Sequence, residues 1–189
     1  DLAAKVRPYL DHLLAWDARI TPDSTAATLC QAWYERLHGL QYPGEELLSR
    51  YRDKPAEQLA ALVRAAEHLQ NLHGTWQVTY AELYRSQRMP YIGDLTDARF
   101  QDNGPSLSSL GGHGPMGVIF TQYYTPSLQI PWVISQRKRY GVVGTSYLAA
   151  WEFKPDGVRG ASLVPFGTSG NPTSPHYFDQ AELLSNRKM

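Results

Sequence analysis

A single cysteine, Cys30, occurs in 189 residues. That excludes an internal disulfide, and no spacing to any of the six histidines makes a metal site of it. Charge of one sign is missing too: 18 basic residues balance 18 acidic ones, so no long-range field draws nucleic acid or an anionic membrane. No apolar run approaches the length of a membrane-spanning helix, and the N-terminus carries no signal-peptide pattern. Internal repeats and low-complexity segments are absent. Gly167-Thr168-Ser169-Gly170 lacks the spacing of a nucleophile elbow, so Ser169 reads as a loop residue. His68 and His73 stand five apart, where one helix face needs three or four for a metal pair, and they read as helix surface and C-cap.

What is present is an ordinary core-forming composition, 42% hydrophobic and 19% charged. Leu2, Val6, Leu10, Leu13 and Leu14 form one helical stripe, with Pro8 as a kink or early break. Thr21-Pro22-Asp23-Ser24 offers a cap for a second helix, residues 25–38, which buries Ala27, Leu29, Cys30, Trp33 and Leu37 and stops at Gly39. Residues 45–51 read as a short helical stretch. Pro55 opens the strongest helix, with Leu59, Leu62, Val63, Ala66 and Leu69 on one face and its end near His73-Gly74. Residues 75–88 predict an extended lead-in followed by one or two helical turns.

Residues 89–114 read as a long loop lining the surface or a site, anchored by Tyr91, Ile92, Leu95, Phe100 and Leu110. Gly111-Gly112-His113-Gly114 within it is a weak phosphate motif, lacking the strand before and helix after. Residues 117–124, 130–136, 141–153 and 158–164 have strand composition. The basic cluster Gln136-Arg137-Lys138-Arg139 reads as a solvated turn between two of them. Lys154-Pro155-Asp156-Gly157 is a turn that pairs the last two strands into an antiparallel hairpin. Leu148, Ala149, Ala150, Trp151 and Phe153 are apolar on both faces, which suggests a strand covered from both sides.

In residues 165–180, Gly167 and Gly170 open unusual backbone angles, and Pro172 and Pro175 hold their predecessors extended. Thr168, Ser169, Asn171 and Ser174 can satisfy nearby backbone groups. Ser174 reads as an N-cap, with Pro175 first in a helix that carries Tyr177, Phe178, Ala181 and Leu184. Ser-Gly-Asn-Pro-x-Ser-Pro-His-Tyr-x-Asp-Gln within this stretch resembles the near-C-terminal signature of the penicillin amidase family, the N-terminal-nucleophile acylases. The hairpin of residues 144–164, Gly74-Thr75-Trp76-Gln77 and Leu14-Ala15-Trp16-Asp17 are similar to that family in the same order.

The resemblance implies an α+β chain that supplies an N-terminal helical part and C-terminal antiparallel strands to a four-layer αββα fold. Residues 1–189 would be the C-terminal portion of one acylase domain: 1–88 mainly helical, 89–114 a long loop, 115–166 strands, 167–189 the Ser-Gly-Asn-Pro loop and a short helix. It implies an amidohydrolase whose nucleophile is a serine opening the large chain, with its own α-amino group as base. Asp1 cannot take that part, so the nucleophile and oxyanion groups are expected on other segments of the same precursor, namely the small α chain and the N-terminal part of the β chain. The implied substrate is a small acyl amide: an N-acyl-homoserine lactone, an acylated lipopeptide or a β-lactam. No cofactor and no metal are implied, and the place of action is periplasmic or secreted.

One candidate site residue lies within the chain. Glu152 sits among apolar neighbours, where a carboxylate needs a partner. Its plain reading is a surface pair with Arg159 across the hairpin; the resemblance implies instead that it orients a histidine outside this sequence. The competing class is a noncatalytic α+β module that binds a ligand or partner through aromatics in residues 91–100 and 123–132.

Overall fold

The computed structural model describes residues 1–38, 53–88, 100–109, 111–112, 122–124, 137–144, 146–186 and 188. Helix α1 (Leu2–Leu14) is capped by the Asp1 carboxylate, which accepts from the Ala3 amide at 3.0 Å, and it runs through Pro8 without a break. The Trp16-Asp17 turn follows: the Trp16 indole donates to the Arg19 carbonyl and the Arg19 amide to Asp17. Helix α2 (Thr25–His38) starts where the cap was expected, with Ser24 Oγ accepting from the Ala27 amide at 3.1 Å.

Helix α3 (Pro55–His73) begins on its proline and ends at Gly74, whose φ of 77° is left-handed; its amide donates to the Gln70 carbonyl. Ala27, Leu29, Leu62, Ala66 and Leu69 from α2 and α3 are all but fully buried, and Val78 and Tyr80 close the core from below. The Tyr9 and His12 rings of α1 meet the Trp76 ring edge-on, each at 5.1 Å. The helical half is therefore a three-helix layer with aromatic seams.

Residues 75–88 hold both an expected turn and an unexpected strand. Thr79 and Glu82 form a reciprocal capping box at the head of α4 (Tyr80–Leu83). One turn later the chain becomes β1 (Tyr84–Ser86). Tyr80 and Tyr84 are completely buried and stack at 4.4 Å, so tertiary packing overrides the helical spacing of this segment. Strand β1 pairs antiparallel with β2 (Leu107–Ser108) and parallel with β4 (Arg139–Gly144), and β4 pairs antiparallel with β3 (Gln122–Tyr124). The resulting sheet has the order β2-β1-β4-β3. Part of the expected loop is thus an edge strand, while the helical stretch at 45–51, the anchors in 89–99, His113 and the strand of 130–136 lie outside the described residues.

The stretch expected as one strand, 141–153, divides into β4 and β5 (Leu148–Lys154). β5 forms the expected hairpin with β6 (Gly157–Leu163), in register from Leu148↔Leu163 to Lys154↔Gly157. Helix α5 (Ala181–Ser185) is the last element among the described residues. It starts at Ala181 and not at Pro175, because residues 171–180 close instead through successive turns: the Ser174 amide donates to the Asn171 carbonyl and the Tyr177 amide to the Ser174 carbonyl. The architecture is mixed α+β, a helical layer on one small sheet with a separate two-stranded ladder.

Candidate functional site

Glu152 stands mid-hairpin directly across from Arg159. Its ion-pair partner, however, is Lys154, two residues along the same face, at 3.1 Å; Arg159 pairs with Asp156 at 4.0 Å. The Glu152 side chain is 61% exposed, so the desolvation expected from its apolar neighbours is not met within this chain, and a pair this exposed contributes little stability. Alternation takes it away from Ala149, Trp151 and Phe153, though not from Leu148 and Ala150. Leu148, Ala150, Glu152 and Lys154 share one face with Arg159, Ala161 and Leu163, while Trp151 and Phe153 share the other with Val158 and Gly160.

That second face is apolar and open, with Trp151 62%, Phe153 80% and Val158 56% exposed. Among the described residues, the strand expected to be covered from both sides is packed only at its root, where Leu148 and Leu163 meet Leu184 of α5. The Trp151 ring lies flat over Gly160, where any Cβ would overlap it.

From β6 the chain enters the loop that carries the Ser-Gly-Asn-Pro signature. Its polar side chains serve its own backbone: Ser169 Oγ accepts from the Asn171 amide, Asn171 Oδ1 from Thr173 and Ser174 Oγ from the His176 amide. His176 Nδ1 and Asp179 Oδ2 are 2.9 Å apart on the surface. Gly167 is indispensable for close approach, since a Cβ there would overlap the His176 carbonyl oxygen and come within 2.8 Å of Asp179 Oδ1. Ser169 is therefore a loop residue, as the sequence indicates.

Sequence reasoning overlooked the residue that holds this loop. Arg88, just beyond β1, donates through Nη1 to the carbonyls of Gly167 and Tyr177, and its guanidinium lies 4.1 Å from the centre of the Tyr177 ring. Nothing in a lone arginine before a long loop signals a partner some eighty residues away.

Of the basic cluster, Arg137 stays exposed as expected, but its groups and those of Lys138 and Arg139 are tied to the body of the molecule. The Arg137 amide donates to Asp102 Oδ2 at 2.9 Å, the Arg137 side chain to the Leu72 carbonyl, and Lys138 Nζ to the Asp102 carbonyl. Arg139 reaches inward to within 4.0 Å of Glu35, which also accepts from Gln31 and Tyr84. Burial pushes the Glu35 carboxyl above its ordinary range, against the opposing pull of Arg139 and those two donors. The nearby His68 is depressed to about 4, by burial first and then by Arg36, Arg139 and His73. His73 is lowered for the same leading reason. Cys30 is only half-buried, short of the core place expected for it; what burial it has raises the thiol to about 11, which makes it a poor nucleophile.

Over residues 1–189 the sequence matches the penicillin amidase family. The chain belongs to the penicillin amidase family. Across 97 residues it is 33% identical to the aculeacin-A acylase of Actinoplanes utahensis, a stretch covering 51% of this chain and 11% of that protein's length. The chain thus spans a minor part of the relative it matches. Within the family signature, Ser169, Asn171 and Ser174 act on the loop's own geometry, and Gly167 just ahead of it permits the close approach. No helix among the described residues is long and apolar enough to cross a membrane.

Proposed function

We propose that this chain is the C-terminal portion of an acylase that hydrolyses the amide bond between an acyl chain and an amine. The observation that carries the reading is the β5–β6 hairpin: it bears an acid on one face and presents Trp151, Phe153 and Val158 on the other, nearly bare. Burying such a face is worth roughly 25 cal/mol per Å² of apolar area, and further segments of the same precursor are the proposed cover. With them in place the hairpin becomes an inner strand pair of a four-layer αββα fold, residues 1–189 forming the C-terminal part of one domain.

In that setting Glu152 exchanges Lys154 for a histidine on another segment, fixing its tautomer and stabilising its charged form beside an N-terminal serine nucleophile. The serine oxygen adds to the amide carbon, its proton passing to the α-amino base and the oxyanion held by preorganised donors; the C–N bond then breaks, the amine leaves with that proton, and water hydrolyses the acyl-enzyme to the acid. No cofactor enters these steps. The substrate class is an N-acyl-homoserine lactone, an acylated lipopeptide or a β-lactam. The likeness to an enzyme named as an aculeacin-A acylase supports acylase chemistry, and periplasmic or secreted action follows from the family reading.

The test uses the full-length, processed protein. Amine release from a panel of acyl-homoserine lactones, acylated lipopeptides and phenylacetyl amides is expected. Glu152→Gln is expected to keep the fold and lower kcat at least about hundredfold, since an amide in place of the orienting acid favours the wrong tautomer. Unchanged turnover in that variant returns Glu152 to the surface. No turnover of any acyl amide by the wild-type protein favours the second reading, a noncatalytic binding module, for which the open aromatic face on β5–β6 is the supporting observation.

A further inference from the structure

The two limbs of the 165–180 loop rise from β6 and fall to α5. They are laced by the Gln180 amide donating to the Phe166 carbonyl at 2.9 Å and the Ser169 amide to the His176 carbonyl at 3.0 Å. Arg88 closes the same gap from outside, with one carbonyl partner on each limb and the Tyr177 and Phe166 rings beneath its guanidinium at 4.1 and 5.8 Å. Its backbone follows β1, a central strand of the four-stranded sheet, so the clamp is fastened to the body of the molecule. The loop in turn holds the hairpin root: the Val164 amide donates to Gln180 Oε1 at 2.8 Å, and Leu184 packs against Leu163 and Leu148.

We propose that Arg88 is a positioning residue for Glu152, acting by fixing this loop and, through it, the root from which the hairpin leaves the body. This rests on the role given to Glu152 above. The lever is long. Glu152 stands four residues along β5 from Leu148, about 13 Å at strand rise, so a tilt of about 5° at the root displaces the carboxylate by about 1 Å. Misplacement on that scale costs on the order of a hundredfold in rate.

The experiment compares Arg88→Met, Arg88→Lys, Glu152→Gln and the double variant Arg88→Met/Glu152→Gln in the full-length processed enzyme. Hydrogen exchange at the Val164, Ser169 and Gln180 amides is expected to quicken at least about tenfold in Arg88→Met. Arg88→Lys, which keeps the charge but loses the flat face over Tyr177, shows a smaller change in the same direction and serves where Arg88→Met does not fold. kcat falls about 10- to 100-fold with KM within about twofold, and the double variant turns over no more slowly than Glu152→Gln alone. Unchanged exchange at the three amides overturns the clamp. An additive loss in the double variant overturns action through Glu152. Wild-type turnover in the single variant Glu152→Gln sinks the role of Glu152 itself, and this shows before Arg88 is altered.

Discussion

At the scale of single residues, the polar cluster between α2, α3 and β4 contributes to how stability changes with acid. His68 is depressed to about 4 from an ordinary 6.5. Between those values the unfolded chain takes up a proton that the folded chain refuses, so stability falls as pH drops through that window. His73 acts in the same sense, while Glu35, raised by burial, slopes the opposite way. His68→Gln is therefore expected to flatten the fall in urea midpoint between about pH 6.5 and about pH 4. A variant whose midpoints track the wild type across that window would exclude His68 as a source. No pattern in the sequence announced the cluster. Glu35 and Arg139 come from elements a hundred residues apart, and a charge in a helical stripe reads as solvated until its neighbours are known.

At the scale of elements, legibility followed how local the physics is. The cap at Ser24, the proline start at Pro55, the left-handed stop at Gly74 and the turn at 154–157 are each fixed by a few adjacent residues, and each was readable. Strand β1 was hidden because Tyr80, Leu83 and Tyr84 keep helical spacing, and only their burial in the core shared with the helices decides for extension at Tyr84. The late start of α5 was hidden for a related reason. Ser174 and Pro175 do make a cap-like turn, but the loop limbs and Arg88 hold the following residues in turns. The loop's tightness is testable at Gly167, where any side chain meets the His176 carbonyl. Gly167→Ala is expected to destabilise by about 1–3 kcal/mol, an overpacking cost. A shift within about 0.5 kcal/mol in chemical denaturation would mean that the loop gives way freely.

For the whole molecule, the family was legible in residues that turn out to be scaffold. Ser169, Asn171 and Ser174 shape their own loop, whereas the proposed chemistry depends on a single acid that is exposed and paired with Lys154. Hydroxyl-radical footprinting of the assembled enzyme is expected to leave Trp151 and Phe153 nearly unmodified. Labelling at the level of free aromatic side chains would contradict a covered hairpin. Among the described residues the β5–β6 ladder also has no third strand, so both of its outer margins carry backbone donors and acceptors without strand partners. Such margins recruit any extended chain nearby. Produced by itself at high concentration, this polypeptide should therefore meet other copies of itself rim to rim.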